Sequence, residues 1–197
     1  MNIASYTFEE FLQKVRAFHG NPSPGVTLGG MMVDMAQRNL PQGGLYDAIC
    51  ETDKCLPDAI QILTPCTIGN GWMRTINSGR FSVSLYDKHT GEGVRVFVDP
   101  EKVKAFPEIS KWFFALVPKK EQDKERLMAE IKNYSASILG MRAVTVDIKS
   151  LPSPDECKYA VCSVCKESYL ANDEGTCLAC QGKAYMTEAA RKGMASI

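Results

Sequence analysis

The sequence predicts an α+β fold: a mainly antiparallel sheet with packed helices, followed by a helical segment and a small cysteine-held domain. Three observations carry that reading. Phe8, Phe11, Leu12, Val15 and Phe18 recur at helical spacing. Phe81, Val83 and Leu85, then Val94, Val96 and Val98, alternate with polar residues, as half-buried strands do. Two Cys-x-x-Cys pairs, Cys162 with Cys165 and Cys177 with Cys180, stand near the C-terminus.

The elements follow in order. Thr7 and Glu10 have capping-box spacing at the start of the first helix, and Gly20 suits the position just past its end. His19 then sits at the helix C-terminus, beside a turn with Pro22 and Pro24. A second helix is predicted over 25–40, where Gly29 and Gly30 lower propensity but permit close packing, and Met31, Met32 and Met35 fill core. Residues 45–51 read as a strand, with Cys50 in the core. Pro57 suits the first turn of a short helix over 58–63, which places Cys55 next to a helix N-terminus. Strands are expected near 72–76, 81–87 and 93–99, the last two joined by a hairpin loop over 88–92 that exposes His89. Leu127, Met128, Ile131, Tyr134, Ile138 and Leu139 predict a helix over 121–139, a strand follows at 144–148, and 150–154 reads as a linker. The expected organisation is a core over 1–118, a helical segment and linker over 119–154, and a zinc ribbon and tail over 155–197.

Composition bounds the function classes. The chain has 197 residues, with Lys plus Arg and Asp plus Glu balanced at 23 each. No basic field advertises nucleic acid. The apolar run Trp112 to Val117 is too short for a bilayer, and no basic segment precedes an apolar stretch at the N-terminus. Cytoplasmic residence is the expectation, with no membrane partner. In a reducing compartment, the eight cysteines argue for metal ligation or thiol chemistry over disulfides.

Zinc needs four deprotonated soft ligands at tetrahedral corners, and a tight turn between paired cysteines puts two thiolates on one metal. Cys162, Cys165, Cys177 and Cys180 thus predict a zinc ribbon or treble clef; a redox dithiol would show one such pair after a strand. A closed site of this kind is structural, since no coordination position is open. Tyr169 and Leu170 supply an apolar cluster, Asn172, Asp173 and Gly175 mark a turn, and Cys157 reads as a spectator.

A second constellation spans Phe18 to Gly71. His19, Cys55 and Cys66 are candidate metal ligands of a kind that suits zinc, iron, copper or nickel, and three protein ligands would leave one position open. Cys55 at a helix N-terminus suits a ligand or a nucleophile; Asp58 and Glu51 suit proton acceptors or outer-shell partners. The bland readings stand beside these: a histidine at a helix C-terminus is often a cap, and a lone cysteine in an apolar run is usually core.

Phe18-His19-Gly20, Pro24-Gly25 with Gly29, Glu51, Cys55, Asp58-Ala59-Ile60-Gln61, Cys66-Thr67-Ile68-Gly69, Gly79 with Phe81, and Gly91 with Gly93 form an ordered set. This set resembles the FmdE family of formylmethanofuran dehydrogenase proteins over residues 5–100. The resemblance implies that family's α+β fold, a cysteine-rich tail, and an association with molybdenum or tungsten enzymes of one-carbon metabolism. Family members tend to read His-Gly-His-x-Cys-Pro-Gly, whereas Asn21 and Ser23 stand here in place of the second histidine and the cysteine. The expectation is a cytoplasmic metal-binding protein, with structural zinc and a second metal of open identity. A homodimer is expected through the exposed face of the 121–139 helix and the tail. Two alternatives remain open: a stand-alone metal-dependent enzyme using Cys55, Asp58 and Glu51, and a zinc-ribbon adaptor for protein or nucleic acid.

Overall fold

The computed structural model describes residues 2–40, 44–151, 158–171 and 175–183. The chain divides into two units, Met1–Leu151 and Pro152–Ile197. The segment expected as separate, 119–154, therefore falls across that division: residues up to Leu151 belong to the first unit.

The first unit opens with a short hairpin, β1 (Asn2–Ile3) and β2 (Tyr6–Thr7), which delivers Thr7 as the N-cap of α1 (Phe8–His19). The capping box forms: the Glu10 N–H donates to Thr7 Oγ1 at 3.2 Å and the Thr7 N–H donates to Glu10 Oε2 at 2.8 Å. Gly20 closes α1 with φ 88°, and its N–H donates to the Arg16 carbonyl. Then come α2 (Pro24–Asn39), β3 (Tyr46–Cys50), α3 (Leu56–Leu63), β4 (Met73–Thr75), β5 (Ser82–Asp87) and β6 (Glu92–Val98). Three helices follow, α4 (Pro100–Val103), α5 (Pro107–Phe113) and α6 (Lys124–Ile138), before β7 (Leu139–Thr145). The last strand starts five residues before the predicted 144, since Leu139 leaves α6 directly into extended backbone at ψ 144°. Helices α4 and α5 were not foreseen.

The five strands lie in the order β4-β3-β5-β6-β7. Only β3 and β4 run parallel, joined by the α3 crossover; the other pairings are antiparallel. Ala48 and Cys50, Val83 and Leu85, and Val94, Val96 and Val98 share the face that forms the core with α2. Two glycines let helices touch α2. A Cβ on Gly29 would stand 2.8 Å from the Ala59 methyl on α3, and one on Gly30 would enter the Phe11 ring of α1. The apolar face of α6 is spent inside the chain: Leu127, Ile131 and Ile138 are core residues. Phe106 stacks on Tyr134 at 5.0 Å. The turn between β5 and β6 is tied to the end of β7, because the Val146 N–H donates to the Gly91 carbonyl at 2.8 Å. Gly91 has φ 78°, and a Cβ there would strike the Val146 oxygen. No helix among the described residues is long and apolar enough to cross a membrane.

The second unit holds a hairpin of β8 (Tyr159–Val161) and β9 (Ser168–Leu170). A cysteine turn follows β8, and a helical turn over Ala179–Lys183 carries the last cysteine. Cys157, Asn172, Asp173 and most of the predicted linker lie outside the described residues.

Candidate metal and thiol sites

Four sulfurs of the second unit, Cys162, Cys165, Cys177 and Cys180, lie within 4.8 Å of one another. The Cys165 and Cys177 sulfurs are 3.7 Å apart. A tetrahedron of thiolates about 2.3 Å from zinc has edges of about 3.8 Å, so the donor set fits that ion in chemistry and spacing. Amide donors converge on the cluster. The Cys177 N–H donates to Cys162 Sγ at 3.4 Å. Such backbone donors, that of Cys177 first, hold the Cys162 thiol down at about 6, while hydrogen bonding among the crowded thiols, with Cys177 first, pushes Cys180 up to about 12. The set forms a potential metal site, which a divalent cation would allow to ionise fully. The seven described cysteines are all free.

In the first unit, the turn after β3 and the first turn of α3 carry the predicted polar residues to one end of the β3–β4 pair. Cys55 is the N-cap of α3 with φ 56°, left-handed backbone that a non-glycine residue rarely adopts. Its carbonyl accepts from the Asp58 and Ala59 N–H groups, which fixes the turn. Gly25, buried in the first turn of α2, faces it: a Cβ there would sit 2.8 Å from Cys55 Cβ and 2.9 Å from its sulfur. Ser23 Oγ lies 3.6 Å from Cys55 Sγ. The position at which the resembled family carries cysteine is thus in contact with the Cys55 thiol, while Asn21 is exposed.

Asp58, one turn into α3, reaches His19 at the end of α1, with Oδ2 2.6 Å from Nδ1. The pair is part-buried, at 31% and 25% side-chain exposure, so solvent screens it without dispersing it. A carboxylate on Nδ1 selects the tautomer that presents Nε2 as an acceptor or ligand. Among the described residues, no group of three His, Cys, Asp or Glu ligand atoms closes around His19 and Cys55.

Cys66 and Glu51 take other places. Cys66 is fully buried in the core, its thiol donating to the Tyr46 carbonyl at 3.4 Å, and burial pushes it up to about 11. It does not join His19 and Cys55 in a ligand cluster. Glu51 is also buried, and Arg95 Nη2 donates to its Oε2 at 2.9 Å while Arg80 Nε stands 2.6 Å from the same oxygen. Burial pushes its pKa up, but the Arg95 hydrogen bond, Ser82 and the two guanidinium charges outweigh that and hold the carboxyl below its usual value. Sequence reasoning missed Arg95, which is 44 residues from Glu51, and only strand register pairs them.

Comparison with known proteins places these sites in context. The model of the family described as FmdE, molybdenum formylmethanofuran dehydrogenase operon, matches residues 18–146. The FmdE treble clef zinc finger model matches residues 156–187. A tungsten formylmethanofuran dehydrogenase FmdE-like protein from Syntrophus aciditrophicus, known from its crystal structure, is 51% identical with a TM-score of 0.84. That likeness covers 94% of this chain and 98% of the other. A probable S-adenosyl-L-methionine-binding protein of Archaeoglobus fulgidus is 26% identical over 194 residues, taking in 88% of this chain and 53% of the relative. The chain thus spans about half the length of the curated relative it matches.

Proposed function

The chain belongs to the FmdE family, and we propose that it is a metal-binding accessory of molybdenum or tungsten enzymes. In this reading Cys162, Cys165, Cys177 and Cys180 hold a structural zinc, and His19 with Cys55 forms a second, working metal site. The observation that carries the second site is the 2.6 Å contact of Asp58 with His19 Nδ1. It leaves Nε2 to the metal, the arrangement by which a carboxylate orients a histidine ligand. The left-handed turn at Cys55 supports it, because backbone strain concentrates where a side chain must be aimed. Asp58 is then a positioning residue; Glu51, engaged by two arginines, and Cys66, in the core, stay outside the site. Association with a molybdenum or tungsten enzyme rests on the family description and on the tungsten-linked relative.

Elemental mass spectrometry on the untagged protein tests this. The expected content is about two metal ions per chain, falling to about one in Cys55→Ala. A content of one in both proteins overturns the second site and leaves the zinc. A pull-down from the native host that enriches no molybdenum or tungsten enzyme overturns the accessory role.

A further inference from the structure

An open cleft of about 590 Å³ runs from Arg95, Phe97 and Arg142 on β6 and β7 to Phe81, Val98 and Phe113, which border the core. Its cations are Lys54, Arg80, Arg95 and Arg142, and among the described residues no carboxylate lines it. Phe81, Phe97 and Phe113 supply its apolar surface. The chain as a whole has no net charge, so this is a local concentration of positive charge. The volume falls in the range of small-molecule sites, and the composition, apolar wall with a few convergent polar groups, is that of a ligand cleft.

Arg95 and Arg142 are direct cross-strand partners on β6 and β7. Both guanidinium groups sit against one ring, 5.3 and 5.0 Å from the Phe97 centroid. Like charges directly opposite on a sheet repel. Glu51 neutralises Arg95, but among the described residues no carboxylate is paired with Arg142. The ring that holds them is fixed in turn: Phe97 lies over Gly140, where a Cβ would be 2.5 Å from its ring carbon. The sheet therefore maintains an uncompensated guanidinium at the mouth of an aromatic cleft.

We propose that this cleft binds a small organic anion, an oxyanion group carried on a flat ring. Arg142 and Arg80 take the oxyanion, and the ring lies against Phe81 and Phe113, which meet edge to face at 6.0 Å. Arg80 is 66% exposed; its Nε is held by Glu51 and Ser78, so its terminal nitrogens are the part that would meet a ligand. Phosphate and carboxylate offer the same recognition chemistry, and the experiment separates them.

The test is calorimetric titration of the whole protein with 2-naphthyl phosphate, 2-naphthoate and inorganic phosphate. Both ring-bearing anions are expected to bind more tightly than inorganic phosphate, and the tighter of the two identifies the oxyanion. Arg142→Ala should weaken that binding roughly tenfold, whereas Arg126→Ala, on the exposed side of α6, should leave it unchanged. Phe81→Leu keeps the cations and should weaken the ring-bearing anions alone. In the absence of ligand, Arg142→Ala should melt at or above the wild type, since it removes the repulsion from Arg95. No binding of either ring-bearing anion at millimolar concentration, or equal affinity in Arg142→Ala and wild type, overturns the site. Inorganic phosphate binding as tightly as the ring-bearing anions overturns the role of the aromatic wall.

Discussion

Glu51 shows how one residue can look catalytic in sequence and act structurally in the fold. It is a buried carboxylate held by Arg95 and Arg80, with Ser78 donating to it at 3.3 Å. Removing its charge leaves the part-buried Arg95, 17% exposed, without its counterion, which costs more than the ion pair itself contributes. Glu51→Gln is expected to lower stability by about 3 kcal/mol at neutral pH, measured by urea unfolding. The folded carboxyl titrates below its ordinary value, so its contribution is fully present above the unfolded value of about 4.3. That contribution is lost as pH falls through the lower, folded value. The gap between wild type and Glu51→Gln should therefore be constant from pH 7 to about 5 and narrow below about pH 4. A gap that does not change with pH would mean that the carboxylate charge is not what stabilises this corner.

At the scale of elements, the contact of α2 with α3 depends on a missing side chain. Gly29→Ala gains helix propensity of about 1 kcal/mol but drives a methyl to within 2.8 Å of the Ala59 methyl. Overpacking outweighs the gain, and a net loss of about 1–2 kcal/mol is expected in thermal unfolding. Adding Ala59→Gly moves the gap to the other helix, so the double variant should recover part of the loss, a favourable coupling that distant sites would not show. The elements that were legible in sequence are those whose signal is local. The capping box of Thr7 and Glu10, the alternation along β5 and β6, and the paired cysteines each lie within a few residues of chain. The rest depended on remote partners. Nothing near Cys66 marks it as core instead of ligand until β3 lies beside it, and the parallel pairing of β4 is set by the α3 crossover. The start of β7 was missed because no turn separates it from α6.

For the whole molecule, the two units obtain their order from different sources. The first has a continuous core from Ile3 to Leu139. In the second, Cys162 is the one buried residue among those described, and Tyr159, Val161, Val164, Leu170 and Leu178 are each more than half exposed. A segment with so little burial is expected to depend on a metal held by its four cysteines. Treatment with chelator and reductant should abolish hydrogen-exchange protection over 158–183 while protection in β3, β5 and β6 persists. Protection that survived metal removal in the tail would assign its order to packing.

The tie between Gly91 and Val146 decides where this chain can be lengthened. The 88–91 turn looks disposable on the surface, yet it is stitched to the end of a strand more than fifty positions later, and any added residue would pull that stitch apart. The exposed turn Lys119–Glu121 makes no such hydrogen bond to a remote strand among the described residues and precedes a helix whose own cap, Asp123, resets the register. A reporter peptide or an affinity handle grafted there would ride on the molecule as cargo, leaving the sheet and the His19–Cys55 region as they were.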